Sequence, residues 1–256
     1  MRYLDEGPDS ETPPVVLLHG MLGDLSNWTD TVAALSARRY RVLAPVLPIY
    51  DLPPSKTNVR SLAEYVRAFL DGVHDGPVAL AGNSLGGHVA LLFALAYPDR
   101  VAALTLSGSS GIYEVAIGSS MMRRRDRAYI RERAALTFFD PAHATDDLVE
   151  EIYAVVNDRT RALRLIRMAR AVQAETVADR LRLIAAPTLL VWGRADVITP
   201  PDVAETFARC LPDAELHFLE DCGHAPMIER PQAFNACLLN FLARTLGIPR
   251  RFALSS

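Results

Sequence analysis

The sequence predicts an α/β fold, with a mostly parallel central sheet covered by helices on both faces. Three observations carry this. Short apolar runs such as Val15-Val16-Leu17-Leu18 and Thr188 to Trp192 lack polar alternation, as strands buried on both faces do. Helix-period segments separate these runs along most of the chain. Half of the 256 residues are hydrophobic (50%), enough for one sizeable core, and disorder is not expected.

The elements follow in order. Tyr3-Leu4 is the remnant of an edge strand, with no room for a full N-terminal hairpin, so the sheet edge is expected to be shortened. Val15 to Leu18 is the first strong strand and ends in His19-Gly20. Ser26 reads as the N-cap of a helix through Ala37, with Trp28, Val32 and Leu35 on one face. Tyr40 to Ala44 reads as a strand, and Pro45 to Thr57 as a proline-punctuated loop. Ser61 to Val73 places Leu62, Tyr65, Val66 and Phe69 at helical spacing. Val78 to Ala81 and Val101 to Leu106 are strands on either side of an apolar helix. After residues 111–184, Thr188 to Trp192 is a strand, Pro201 to Cys210 a helix, Glu215 to Leu219 a strand and Pro231 to Leu246 a final helix.

Residues 111–184 are helix-prone and show no strand signal, so they are expected to form a helical cap over the carboxyl edge of the sheet. Residues 1–110 and 185–256 form the core domain in this reading. The cap holds 13 arginines against 11 acids, a near balance that assigns most of them to solvated helix faces. Arg123-Arg124-Arg125 is the densest cluster, and Met121, Met122, Phe138 and Phe139 are candidate pocket walls.

Composition narrows the function. The net charge of −3 with interspersed signs excludes a nucleic-acid partner. No apolar run reaches the length of a membrane span, so no membrane partner is expected. Met1 to Glu6 lacks the apolar core of a signal peptide, and a cytoplasmic location is the default expectation. Cys210, Cys222 and Cys237 form no disulfide framework and have no metal spacing. Lys56 is the one lysine and lies in a polar loop, which leaves Schiff-base chemistry a single candidate. The partner is expected to be a small-molecule substrate, with monomer and homodimer both open.

The most informative stretch is Gly82-Asn83-Ser84-Leu85-Gly86, a Gly-x-Ser-x-Gly between a strand and a helix. Glycines there let strand and helix approach closely, and the serine hydroxyl is held out on a sharp turn. A serine needs a base. Of the six histidines, His224 lies in a loop after the strand Glu215 to Leu219, on the same sheet edge as Ser84. His74 sits at a helix end, His88 in the elbow helix, His143 in the cap and His217 inside a strand. The base needs a carboxylate to orient it. Asp196 follows the strand Thr188 to Trp192 and fills that role, with Asp221 as runner-up. Two backbone amides, Leu85 at the helix N-terminus and Met21 in the turn after His19-Gly20, are the expected oxyanion donors.

Together, His19-Gly20, Gly82 to Gly87, Gly193-Arg194-Ala195-Asp196 and Gly223-His224 resemble the α/β-hydrolase fold superfamily across nearly the whole chain. The resemblance implies a sheet of eight strands or slightly fewer, a cap inserted after the sixth strand, a Ser-His-Asp triad and no cofactor. Asn83 before Ser84, Asp221-Cys222-Gly223-His224 and Ala233-Phe234-Asn235 are most similar to the branch of meta-cleavage-product hydrolases, which split carbon–carbon bonds, and of small carboxylesterases. That branch implies substrate contacts for Asn83 and for a cap arginine, here Arg159. It also carries Trp directly after the catalytic histidine, where this chain has Ala225. A serine esterase is therefore the leading expectation. A carbon–carbon hydrolase acting on a vinylogous diketone acid is the alternative, and a non-catalytic ligand-binding member of the fold is a third.

Overall fold

A computed structural model describes residues 1–115 and 123–247. Its strands are β1 (Tyr3–Glu6), β2 (Val15–Leu18), β3 (Val42–Pro45), β4 (Val78–Asn83), β5 (Val101–Ser107), β6 (Thr188–Gly193) and β7 (Ala214–Leu219). They form one seven-stranded sheet in the order β1-β3-β2-β4-β5-β6-β7. β1 pairs antiparallel with β3, and every other pairing is parallel. The four-residue β1 is the shortened edge that the sequence implies.

The helices are α1 (Thr29–Ala37), α2 (Val59–Val73), α3 (Leu85–Ala96), α4 (Arg127–Ala135), α5 (Asp146–Asn157), α6 (Arg159–Ala174), α7 (Pro201–Cys210), α8 (Pro226–Glu229) and α9 (Pro231–Thr245). Alternation along β2 explains the layering. Val15 and Leu17 join the core under α1 and α9, while Val16 and Leu18 join the core under α2, α3 and α7. Both faces are therefore dry, and β2, β3 and β4 are buried at every position.

Helices α4 to α6 lie between β5 and β6 in the chain. They follow the fifth of seven strands, where the resemblance implies a cap after the sixth strand. The helix expected from Ser26 begins differently: Asp24 caps a short 3₁₀ turn, Leu25–Trp28, and α1 starts at Thr29. Aspartate accepts the orphan amide of Ser26 at 2.7 Å, which leaves the serine inside the turn.

The strand order places the site. From β2 the chain runs to β3 on one side and then crosses to β4 on the other. Ligands of such sheets bind where the order reverses, at the carboxyl ends of the strands. Here the loops after β2 and β4 carry Met21 and Ser84.

Candidate active site

Ser84 sits between β4 and α3 with φ 54° and ψ −120°, a left-handed conformation that costs a non-glycine residue about 1–3 kcal/mol. Two glycines allow it. A Cβ on Gly82 would lie 2.4 Å from the carbonyl carbon of Gly86, and one on Gly86 would lie 2.0 Å from the Leu18 oxygen. Packing then fixes the turn, since α3 is buried from Leu85 through Ala94. The Ser84 amide donates to Ser107 O at 3.0 Å, and the Ser84 carbonyl accepts from His88 and Ser110.

His224 and Asp196 meet across the loops after β7 and β6. The Nδ1 of His224 lies 2.8 Å from Oδ2 of Asp196, and both side chains are buried. Asp196 is itself held: Oδ1 accepts from the amides of Ile198 at 2.8 Å and Thr199 at 3.0 Å. The Thr199 hydroxyl donates to Oδ2 at 2.8 Å. With Nδ1–H directed at the carboxylate, Nε2 of His224 is left as the basic nitrogen. Asp221, the runner-up, is exposed and pairs loosely with Arg230 at 3.8 Å.

Burial opposes charge on His224, but the Asp196 carboxylate beside it and the more distant Glu114 outweigh burial and hold its pKa above the usual 6.5. A raised folded-state pKa gives stability that is present at low pH and fades as pH rises through that pKa. Activity has the opposite sign, because the base must be neutral. The acid limb of kcat/KM should therefore have its midpoint above 6.5, and Asp196→Asn should move that midpoint down. A pH–rate profile of both proteins checks this, and a wild-type limb below 6.5 contradicts it.

The turn after β2 is braced by side chains that the sequence left unassigned. His19 is buried, and burial pushes its pKa down, so the ring is neutral. Its Nε2 accepts from the Leu47 amide at 2.9 Å, which leaves Nδ1–H to donate to Gly20 O at 2.8 Å. Tyr50 donates its hydroxyl to Met21 O at 3.0 Å. The amides of Met21 and Leu85 find no acceptor among the described residues. Both residues flank Ser84, Met21 from the cavity wall and Leu85 as the first residue of α3.

Ser84 and His224 open into one cavity of about 450 Å³. Its wall is mostly aliphatic, with Ile130, Leu148, Ile152, Leu165 and Ile166 from α4 to α6. Phe138 lines it, while Phe139 points to solvent at 50% exposure. Met121 and Met122 lie outside the described residues.

Two candidate substrate contacts change meaning. Arg159 is exposed at the start of α6 and takes no part in the cavity wall; the arginines that do are Arg124 and Arg133. The cause is helical phase, since α6 turns Ala162, Leu165, Ile166 and Ala169 to the cavity. Asn83 touches the cavity, but its amide nitrogen donates to Ser107 O and His224 O, each at 2.9 Å. Asn83 thus ties the serine strand to the histidine loop.

Glu229 was invisible in the sequence. Its Oε1 accepts from the Phe139 amide at 2.7 Å and the Asp140 amide at 3.0 Å, and its Oε2 accepts from Gly223 at 2.5 Å. With the bond from the His224 amide to Thr137 O at 2.8 Å, it joins the segment after α4 to the histidine loop. Thr199 had a weak signal, a threonine three residues after an aspartate at a strand end. His88 is buried in α3, neither ring nitrogen has a hydrogen-bond partner among the described residues, and burial lowers its pKa to about 4.

Comparison with known proteins agrees with this architecture. Residues 15–236 match the alpha/beta hydrolase family. The chain is 31% identical to a 2-hydroxy-6-oxononadienedioate/2-hydroxy-6-oxononatrienedioate hydrolase of Paraburkholderia xenovorans, over 95% of this chain and 90% of that protein. It is 32% identical to a dihydrolipoyllysine-residue acetyltransferase component of an acetoin cleaving system from Pseudomonas putida, over 95% of this chain and 67% of that one. Among solved structures, an alpha/beta hydrolase enzyme from the metagenome of Mar Chica lagoon sediments in Morocco superimposes with a TM-score of 0.77 at 35% identity, covering 94% of each chain. A meta-cleavage product hydrolase of Pseudomonas fluorescens shares the fold at a TM-score of 0.80 and 22% identity, over 94% of this chain and 93% of that one. With strand order, elbow and family match in agreement, this chain belongs to the alpha/beta hydrolase family and is a hydrolase.

Proposed function

We propose that the protein is a serine hydrolase that cleaves a small carboxylic ester through an acyl-enzyme. The observation that carries this reading is the opening of Ser84 and His224 into one apolar cavity, with Asp196 at 2.8 Å behind the imidazole. Ser84 Oγ attacks the ester carbonyl as His224 Nε2 takes its proton. The amides of Met21 and Leu85 receive the oxyanion, and Asp196 holds the imidazolium that forms. His224 then gives the proton to the leaving alcohol. Water, activated by the same base, releases the acid and restores Ser84.

In this reading residues 111–184 form a cap whose helices close the cavity from above. The tie from Glu229 to the amides of Phe139 and Asp140 supports that reading. A cytoplasmic setting suits the three cysteines, all of which are free thiols.

A second reading keeps the site and changes the bond cleaved to carbon–carbon, in a vinylogous diketone acid. The relative of Paraburkholderia xenovorans, named for hydrolysis of oxo-dienedioates, favours it. Ala225, where the carbon–carbon branch carries tryptophan, weighs for the ester. A panel of p-nitrophenyl esters of increasing chain length, together with one dienoate diketone, decides. Ester turnover that disappears in Ser84→Ala supports the first reading. Diketone cleavage without ester turnover supports the second. An intact protein with neither activity, and no labelling of Ser84 by a fluorophosphonate, leaves only ligand binding.

A further inference from the structure

One buried carboxylate outside the proposed triad is bonded to the loop that carries the proposed base. Glu229 is the last residue of α8 and is 8% exposed. Its Oε2 accepts from the amide of Gly223, the residue before His224, at 2.5 Å. Its Oε1 accepts from the amides of Phe139 at 2.7 Å and Asp140 at 3.0 Å, across 90 and 89 residues of chain. No cation pairs with it among the described residues, and the adjacent Arg230 reaches Asp221 instead. A buried carboxylate met only by backbone amides is costly unless both oxygens are used, and here both are.

The two stretches that Glu229 joins touch at further points. The His224 amide donates to Thr137 O at 2.8 Å. A Cβ on Gly223 would lie 2.7 Å from Thr137 O and 2.8 Å from Phe139 N, so glycine is what lets the two backbones meet. From the other side, Asn83 donates to His224 O at 2.9 Å and the Ala195 amide donates to Cys222 O at 2.9 Å. The backbone around His224 is thus held at its amide, at its carbonyl and at the preceding residue, and Glu229 makes the last of these holds. The 2.8 Å bond from Nδ1 to Asp196 depends on where that backbone stands. Phe138, between the bonded residues, lines the cavity, so one carboxylate keeps a cavity wall and the imidazole in register.

We propose that Glu229 is a positioning residue: its carboxylate locks residues 137–140 onto the Gly223-His224 turn and so aims the imidazole between Ser84 and Asp196. The arrangement calls for an anion. A carboxylate is acceptor-only and suits three amide donors, whereas a glutamine of the same shape brings an NH₂ that must face an N–H on one side or the other. The inference rests on His224 as the base of the proposed reaction.

The test compares Glu229→Gln and Glu229→Asp with the wild type. Steady-state kinetics on p-nitrophenyl butyrate give kcat, KM and the pH profile, and NMR of the ¹⁵N-histidine-labelled proteins follows titration of the His224 ring. Glu229→Gln should lower kcat by about tenfold to a hundredfold, with KM little changed. The midpoint of the acid limb and that of the His224 titration should fall together, because the bond to Asp196 loosens while Glu114, the other acid near the ring, stays. Glu229→Asp keeps the charge, is one methylene short, and should fall between. A wild-type kcat, or an unshifted His224 titration, overturns the proposal even where urea shows stability lost. Failure of both variants to fold also overturns it, since Glu229 would then serve the fold alone. If the wild type turns over no ester, the esterase reading fails by itself and the NMR titration still judges Glu229: a lowered His224 midpoint supports the assignment, and an unchanged one overturns it.

Discussion

His224→Ala should lower kcat for ester hydrolysis by roughly 10⁴-fold or more, with KM changed far less. The size follows from the geometry. The Ser84 hydroxyl is a weak nucleophile without a base, and the other histidines cannot stand in. His19 is neutral and spends both ring nitrogens on backbone groups. His88 is enclosed in α3. What survives is binding and oxyanion stabilisation by backbone amides, which the substitution leaves in place. Steady-state kinetics on a p-nitrophenyl ester measures the effect, and circular dichroism checks that the fold persists. A loss of only a few-fold would remove His224 from the reaction.

Gly86→Ala should be among the most damaging small-residue substitutions for the fold near the site. The added Cβ would stand 2.0 Å from Leu18 O, 2.5 Å from Leu18 C and 2.8 Å from His19 O. All three are backbone atoms of β2 or the turn that follows it, so no rotamer change relieves the clash. Either α3 moves away from the sheet or the turn carrying Met21 opens. The expected loss is about 3 kcal/mol or more, with activity lost in whatever protein folds. Gly72→Ala is the control. Its Cβ would meet nothing within 4 Å, and in α2 it should stabilise by about 0.5–1 kcal/mol. Urea unfolding of the two variants against the wild type measures both, and similar behaviour of the pair would contradict the close-packing argument.

The catalytic candidates and the sheet were legible because both depend on local patterns. Gly-x-Ser-x-Gly has meaning only between a strand and a helix, and the apolar runs Val78 to Ala81 and Val89 to Tyr97 supplied that context. Asp196 and His224 stood out as candidates because each follows a strand, and all parallel strands end on one edge. Side-chain direction within the cap was not legible. Arg159 and Arg133 both read as cap arginines, and only the phase of α4 and α6 against the cavity separates them. Asn83 was read as a substrate contact because the branch it resembles implies one; it does line the cavity, and its amide also answers two carbonyls, one of which lies 141 residues away. Glu229 has the same character: the amides of Phe139 and Asp140 reach it across 90 and 89 residues, and no sequence spacing marks that.

The central claim is that Ser84 becomes covalently acylated during turnover. The most direct test is a single turnover of a p-nitrophenyl ester, stopped with acid and followed by digestion and mass spectrometry of the peptide that carries Ser84. The account predicts that the acyl mass sits on Ser84, accumulates with the burst of nitrophenol, and is absent from Ser84→Ala. Turnover at the wild-type rate by Ser84→Ala, or an acyl group on a different residue, would contradict it.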